Sequence, residues 1–150
     1  LPEGLQQHNQ INVGLAVDTP RGLMVPVVRD ADHKNFECIQ QDLDNVIQRT
    51  LAGTATWDDV TGGTFTITNL GAFDIDAFTP LINPPESAIL GIGRIHEKPV
   101  VVDGQIVVRE MMSLSISFDH RLVDGAPAAR FLQRVKQFIE QPFLWSLWEK

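Results

Sequence analysis

The segment from Phe118 to Gly125 contains a histidine, His120, four residues before a carboxylate, Asp124, and ends in a glycine. Upstream, apolar and polar side chains alternate from Met112 to Asp119, which is typical of a strand with one buried face. Downstream, apolar residues recur at helical spacing from Ala128 to Ile139. The pattern therefore predicts a strand, a turn that carries the histidine, and a helix.

An imidazole in such a turn is suited to general base catalysis. The unperturbed pKa of histidine lies closest to neutrality among side chains, so small effects of the surroundings can adjust it for proton transfer. The residues alone leave other interpretations open. A lone histidine at a strand end is structural more often than catalytic, and Asp124 is by default the N-cap of the helix that follows.

The composition is that of a globular domain with an acidic balance. The chain has 150 residues, of which 43% are hydrophobic and 21% charged, and its formal net charge is −7. Its basic residues are scattered, so we do not expect the basic face that binds nucleic acid. No apolar run reaches the roughly 18 residues that span a bilayer, and the start does not resemble a signal peptide. Because the sequence starts without methionine and a strand pattern follows almost at once, we expect it to be a piece of a longer protein.

Cysteine and histidine usage predicts neither a disulfide framework nor a metal site. The single cysteine, Cys38, rules out an internal disulfide and suits a reducing compartment. We expect it to be a packing or surface thiol, because a reactive thiol needs an electropositive setting. The four histidines are far apart, and no pair has the spacing of a metal-ligand motif.

The hydrophobic patterns predict a mixed α/β domain. Alternation from Ile11 to Val17, turn residues from Asp18 to Gly22 and an apolar run to Val28 predict a hairpin with a five-residue loop. A second hairpin is predicted around Asp103-Gly104. The other predicted elements are a helix from Phe36 to Ile47 closed by Gly53, a strand from Thr64 to Thr68, a loop or broken helix from Gly71 to Pro85, a strand from Ser87 to Ile95, and a helix from Ala126 to Glu140.

The segment from Phe143 to Trp148 is strongly apolar for a position near a chain end, where polar residues are usual. It either folds back onto its own core or docks into a neighbouring subunit, because monomers rarely expose so much apolar area. The sequence does not decide between these alternatives.

Four segments in order carry a family resemblance, namely Gly14–Val28, Phe65–Gly71, Ile82–Gly93 and Ser117–Ala126. The last contains His-x-x-x-Asp-Gly, which resembles the signature of coenzyme A-dependent acyltransferases. Together the segments resemble the catalytic domain of dihydrolipoyl acyltransferases, the core components of 2-oxo acid dehydrogenase complexes. The resemblance runs from about Asn12 to Trp148, and four ordered motifs make a chance similarity improbable.

The resemblance implies a chloramphenicol-acetyltransferase-like fold, in which helices flank a mixed β-sheet. Residues 1–150 would be the C-terminal part of one catalytic domain, truncated at its N-terminal side. The implied activity is transfer of an acyl group between the thiols of dihydrolipoyl-lysine and coenzyme A. No lipoyl domain is recognisable in the sequence, so we expect the lipoyl group on a domain outside it.

The resemblance also implies roles for four residues. His120 matches the family's catalytic histidine, which takes the proton of the attacking thiol. Thr68 matches a serine or threonine hydroxyl that stabilises the tetrahedral oxyanion, and Asp124 matches a carboxylate that orients the histidine. Phe78 matches an aromatic residue near the point where the pantetheine thiol arrives, although a plain core role is equally open. In the family, His120 of one chain would face Thr68 of the next.

The implied partners are two further copies in a homotrimer, a larger symmetric core built from trimers, and the decarboxylase and dihydrolipoyl dehydrogenase components. The implied location is the bacterial cytoplasm or the mitochondrial matrix. An assembly module without activity in this fragment is an alternative function, and an antibiotic acetyltransferase of the same fold is a less favoured one. The Asn69–Phe73 segment favours acetyl as the acyl group, with a branched-chain group next. The acyl groups differ by few atoms, and a methylene or two changes the selectivity of a pocket by only ~1–3 kcal/mol.

Overall fold

The structure, a computed structural model, describes residues 4–147 and consists of one five-stranded sheet, two two-stranded sheets and two α-helices within that range. The mixed α/β class predicted from the sequence is confirmed. Neither described helix could cross a bilayer. The elements are β1 (Val13–Leu15), β2 (Val17–Thr19), β3 (Gly22–Met24), β4 (Val27–Val28), α1 (Phe36–Ala52), β5 (Phe65–Asn69), β6 (Ala88–Ile92), β7 (His96–Val102), β8 (Gln105–Met111), β9 (Leu114–Phe118) and α2 (Gly125–Glu140).

The five-stranded sheet has the order β4-β1-β5-β6-β9. Strands β1, β5 and β6 run parallel, while β4 and β9 are antiparallel to their neighbours. Residues that lie opposite one another in adjacent strands share a face of the sheet. Two rows on one face matter for the site: Thr66, Ile89 and Ser117 form the first, and Thr68, Gly91 and Ser115 form the second.

The two helices cover the opposite face of this sheet. Helix α1 packs on β4, and α2 packs on β9 and sets Phe131 edge-on against Phe65, with ring centroids 5.7 Å apart. The Asn35 side chain caps α1 by accepting a hydrogen bond from the backbone of Cys38, and Gly53 ends the helix as predicted. The buried apolar residues are Val27, Val28, Val46, Ile89, Leu90 and Ala128. Among those on strands, Val28 and Leu90 lie on the face that the helices cover, whereas Val27 and Ile89 lie on the face of Thr66.

The first predicted hairpin is divided, and its predicted five-residue loop is wrong. Strand β1 pairs with β4, while β2 pairs with β3 so closely that Thr19 lies opposite Gly22. The hydroxyl of Thr19 donates to the carbonyl of Gly22 at 2.7 Å and accepts from the backbone of Arg21 at 3.2 Å. Gly22 has a φ of 104°, a backbone conformation that residues with a side chain rarely adopt. These local bonds close a tighter turn than composition alone indicated.

The apolar segment near the end of the chain folds back onto both helices. The ring of Trp145 lies 4.4 Å from that of Phe36 on α1, and its indole N–H donates to the carbonyl of Phe138 on α2. The fold-back alternative is therefore confirmed as far as Trp145, whereas the predicted segment's last residue, Trp148, lies outside the described residues. Phe143 keeps 66% of its surface exposed.

A half-buried carboxylate packs on the face of the sheet opposite the helices. The hydroxyl of Thr66 donates to Glu86 at 2.6 Å, and the amide of Asn83 donates to the other oxygen at 3.4 Å. Burial raises the pKa of Glu86 above its usual value and outweighs these two hydrogen bonds, which lower it. The folded chain thus holds the proton of Glu86 more tightly than the unfolded chain.

We predict that Glu86→Gln removes a pH-dependent loss of stability. Since the folded pKa is raised, the wild type keeps its full stability below the unfolded pKa and loses part of it as pH rises through the folded value. Thermal unfolding of the full-length protein from about pH 4 to about pH 7 checks this: the midpoint of Glu86→Gln should rise relative to wild type as pH increases. The exposed Glu97→Gln serves as control. Parallel curves for Glu86→Gln and wild type would contradict the prediction.

Candidate active site

His120 lies in the turn between β9 and α2, as the sequence pattern predicts. Its side chain is 71% exposed. The ring lies beside that of Phe118, with centroids 5.6 Å apart. The imidazole therefore contacts Phe118 on one side and is otherwise open to solvent, so a thiol can reach it.

Asp124 lies beside the histidine instead of capping the helix with its side chain. The backbone of Asp124 occupies the N-cap position of α2, but its carboxylate makes no capping hydrogen bond. Oδ1 lies 3.8 Å from Nδ1 of His120, which is longer than a hydrogen bond and within range of an ion pair with a protonated ring. The geometry brings His120 and Asp124 together and leaves Nε2 of the histidine for another partner.

The turn around His120 is fixed by its neighbours. The backbone of Asp119 donates to the carbonyl of Ser87 at 2.8 Å and accepts from Leu122 at 2.9 Å, which ties the turn to the start of β6. The guanidinium of Arg121 bonds the carboxylate of Asp119 and lowers the pKa of that carboxylate to about 2. The histidine is thus held by the backbone on both sides of it.

Thr68 lies on β5, half-buried and paired with Gly91 on β6. A side chain at Gly91 would meet the ring of Phe78, whose Cζ lies 3.0 Å from the position of a Cβ. Phe78 is half-buried and covers the row of the sheet that contains Thr68. The structure therefore brings Phe78 close to the strand position of Thr68.

Thr68 and His120 are not brought together within one chain. Thr68 shares its row with Gly91 and Ser115, whereas His120 follows Phe118 at the opposite end of β9. With about 3.3 Å per residue along a strand and about 4.8 Å between strands, the backbone positions of the two residues are on the order of 19 Å apart. A reaction that uses both side chains needs a second copy of the chain.

Sequence reasoning missed the charged contact at the Thr68 end of the sheet. A cavity of about 230 Å³ lies there, lined by Asn69, Ile92 and Arg94 among others. Nε of Arg94 donates to Asp76 at 2.5 Å and lowers the pKa of that carboxylate. The partners are 18 residues apart with no shared motif, so no local pattern signals their contact. Within residues 4–147, no group of three or more histidine, cysteine or acidic side chains could hold a metal ion.

Comparison with known proteins identifies similar chains. The dihydrolipoyllysine-residue succinyltransferase component of the 2-oxoglutarate dehydrogenase complex of Haemophilus influenzae is 45% identical over 135 residues, which are 90% of this chain and 33% of that protein. This chain therefore spans about a third of the length of that relative.

Two solved structures share the fold. The cubic core of a pyruvate dehydrogenase multienzyme complex matches with a TM-score of 0.86 and 37% identity, over 92% of this chain and 57% of that one. A structure of the dihydrolipoamide acetyltransferase of Azotobacter vinelandii, studied for the role of a serine, a histidine and an asparagine in catalysis, matches with a TM-score of 0.89 and 36% identity. The match covers 95% of this chain and 59% of that one.

The family model described as 2-oxoacid dehydrogenases acyltransferase (catalytic domain) matches residues 2–147, nearly the whole sequence. The motifs at Thr68 and His120 both lie inside the match. The resemblance drawn from four segments is therefore confirmed, and the chain belongs to the family of 2-oxo acid dehydrogenase acyltransferase catalytic domains.

Proposed function

We propose that this chain forms the acyl-transferring part of a 2-oxo acid dehydrogenase complex and moves an acyl group between dihydrolipoyl-lysine and coenzyme A. The observation that carries the proposal is the open imidazole of His120 with the carboxylate of Asp124 on its Nδ1 side. That arrangement keeps Nε2 free to accept a proton from an incoming thiol.

The reaction is a thiol exchange at a thioester. Nε2 of His120 takes the proton of the coenzyme A thiol, and the thiolate forms a bond to the carbonyl carbon of the acylated dihydrolipoyl group. The hydroxyl of Thr68 donates to the oxyanion that develops. When the intermediate collapses, the bond to the lipoyl sulfur breaks, and that sulfur takes the proton from the imidazolium. The products are acyl-coenzyme A and dihydrolipoyl-lysine, and Asp124 stabilises the imidazolium in between.

The spacing of the residues supports the assignment. The serine, histidine and asparagine named for the Azotobacter vinelandii structure are separated by the same 52 and four positions as Thr68, His120 and Asp124. Here a threonine keeps the hydroxyl but adds a methyl group that restricts its rotamer. A carboxylate in place of an amide suits a role in orientation and charge stabilisation.

The separation of Thr68 from His120 supports a site completed by a second copy, and we propose the homotrimer as the assembly that provides it. The chain exposes 10852 Å², whereas a compact monomer of 16.7 kDa exposes about 7,600 Å². Further copies, together with the rest of the catalytic domain, would cover the excess.

The hairpin of β7 and β8 is the part of the surface best suited to a second copy. It extends from the end of the sheet where Thr68 lies, between β6 and β9. Three of its apolar side chains share one face and are 63–79% exposed, namely Val101, Ile106 and Val108. A copy that covers this face lies at the same end of the sheet as Thr68, where its histidine is needed.

The acyl group we propose is acetyl, from the Asn69–Phe73 segment, with succinyl as the second candidate because the Haemophilus influenzae relative is a succinyltransferase. A succinyl group carries a carboxylate that favours an available cation. Arg94, which lines the cavity beside Asn69, is already bound to Asp76 and lies 3.6 Å from Asp74. Its charge is largely neutralised, which favours the uncharged group.

We propose coenzyme A as the substrate and a lipoyl group on a domain outside residues 1–150 as the acyl carrier. In this proposal the chain is the C-terminal part of one catalytic domain. Trimers would form a larger symmetric core that holds the decarboxylase and dihydrolipoyl dehydrogenase components, in the bacterial cytoplasm or the mitochondrial matrix. An assembly module without catalysis would keep the core and lack the chemistry.

We predict that His120→Ala lowers kcat by about 10²–10⁴, because that is the usual contribution of a general base. The measurement is thioester exchange between dihydrolipoamide and acetyl-, succinyl- and isobutyryl-coenzyme A, with the full-length protein. Particle size by light scattering should stay that of wild type. If no acyl donor reacts with wild-type protein, the acyl-transfer function is wrong and the assembly module remains.

Asp124→Asn should lower kcat less than Asp124→Ala. An amide oxygen still faces Nδ1 of His120 and orients the ring, whereas alanine removes the partner, at a loss of about fivefold for the 3.8 Å contact with the protonated ring. Steady-state kinetics of both variants at pH 7 checks the order. Equal losses for asparagine and alanine would show that orientation is not the role of this residue.

Mixed assemblies test whether the site is shared. Thr68→Ala should lower kcat by about 10²–10³ through the lost oxyanion donor. If Thr68 and His120 come from different copies, co-assembly of Thr68→Ala with His120→Ala chains in equal amounts regenerates about one intact site in four. Activity of the mixture should then rise well above that of either variant. A mixture that stays at the activity of the single variants would contradict the shared site.

A further inference from the structure

The loop that carries Phe78 is fastened to the end of strand β6 by its backbone. Arg94 lies two residues past β6, and its backbone N–H donates to the carbonyl of Ile75 at 2.8 Å. A side chain at Gly93 would overlap the carbonyl oxygen of Asp76, and one at Gly71 would lie 2.9 Å from Cα of Arg94. The two segments therefore pack backbone against backbone at this point.

The side chain of Arg94 adds a charged contact to the same loop. Its Nε donates to Asp76 at 2.5 Å, and its Nη1 lies 3.6 Å from Asp74. Nδ1 of His96 lies 3.8 Å from Oδ1 of Asp76, which is beyond hydrogen-bonding distance, so the guanidinium of Arg94 makes the shorter contact with that carboxylate. Asp76 stands two residues before Phe78, whose ring rests on Gly91 in the row of Thr68.

We infer that Arg94 is a positioning residue: through Asp76 it fixes the loop that holds Phe78 beside Thr68, and so sets the approach of the coenzyme A thiol. The inference rests on the proposed acyl transfer. Arg94 and Asp76 are 35% and 53% exposed, and ion pairs of this kind add little to global stability. Loss of the contact should therefore move the loop and leave the fold intact.

The matched control is a second arginine–aspartate pair away from the site. On α1, Nη2 of Arg49 lies 2.5 Å from Oδ1 of Asp59, and the arginine is 45% exposed. Arg49→Ala breaks a contact of the same chemistry and length without touching the loop. Any effect shared by Arg49→Ala and Arg94→Ala belongs to general stability.

The kinetic test uses the full-length assembled protein with coenzyme A as the varied substrate. Arg94→Ala should raise KM for coenzyme A about tenfold with a smaller change in kcat, since misplacement of the loop impairs binding and alignment. Arg94→Lys should restore most of the loss, because an ammonium can still pair with Asp76. In a Phe78→Ala background, Arg94→Ala should have little further effect, because the arginine acts through Phe78.

A structural test separates this inference from the proposed function. Hydrogen exchange of residues 72–80 should be about tenfold faster in Arg94→Ala than in wild type and Arg49→Ala. If wild type is active, two results would overturn this inference and leave the proposed function in place. One is an unchanged KM for coenzyme A in Arg94→Ala, and the other is an equal effect of Arg94→Ala with and without Phe78. An inactive wild type overturns the proposed function. Unchanged exchange in that case also rejects Arg94 as the residue that fixes the loop.

Discussion

The register of β5, β6 and β9 is the constraint on which the rest of this structure depends. It fixes Thr68 in one row with Gly91 and Ser115, and it sends the chain past Phe118 to His120 at the other end of the sheet. A shift of one residue would turn every side chain of a strand to the opposite face, so the pairing cannot slide without burying Thr66 and Thr68 beneath the helices. Two groups with complementary chemistry are therefore held rigidly apart in each chain.

Rigidity of the backbone and exposure of the side chains go together at this site. The turn at His120 is tied down by the hydrogen bonds of Asp119 to Ser87 and by the contact of Arg121 with that aspartate, yet the imidazole itself is open to solvent. In the proposed reaction the imidazole meets two large substrates, so it cannot be buried in its own chain. It is oriented instead by one carboxylate and by the backbone on which it stands.

The sequence predicted the elements that have a regular period and the residues that belong to a motif. Helix α1 and its end at Gly53, the strand–turn–helix around His120, and the hairpin at Asp103-Gly104 were recovered from local patterns. The turn at Thr19 and the contact of Arg94 with Asp76 were not. Both depend on side-chain hydrogen bonds that geometry selects among many equivalent polar residues. The family resemblance supplied Thr68, since its β-rich segment does not distinguish it from Thr66.

A site divided between copies makes catalysis conditional on assembly. In this chain the surface that a neighbour would cover, the apolar face of the β7–β8 hairpin, begins a few residues past the strand that holds Gly91 opposite Thr68. The same short segment contains Arg94, which fastens the loop of Phe78. In the proposed assembly, contact between copies and the approach of the thiol are therefore set by adjoining stretches of one chain. In that assembly, Arg94 lies where the surface for a neighbour adjoins the loop of Phe78.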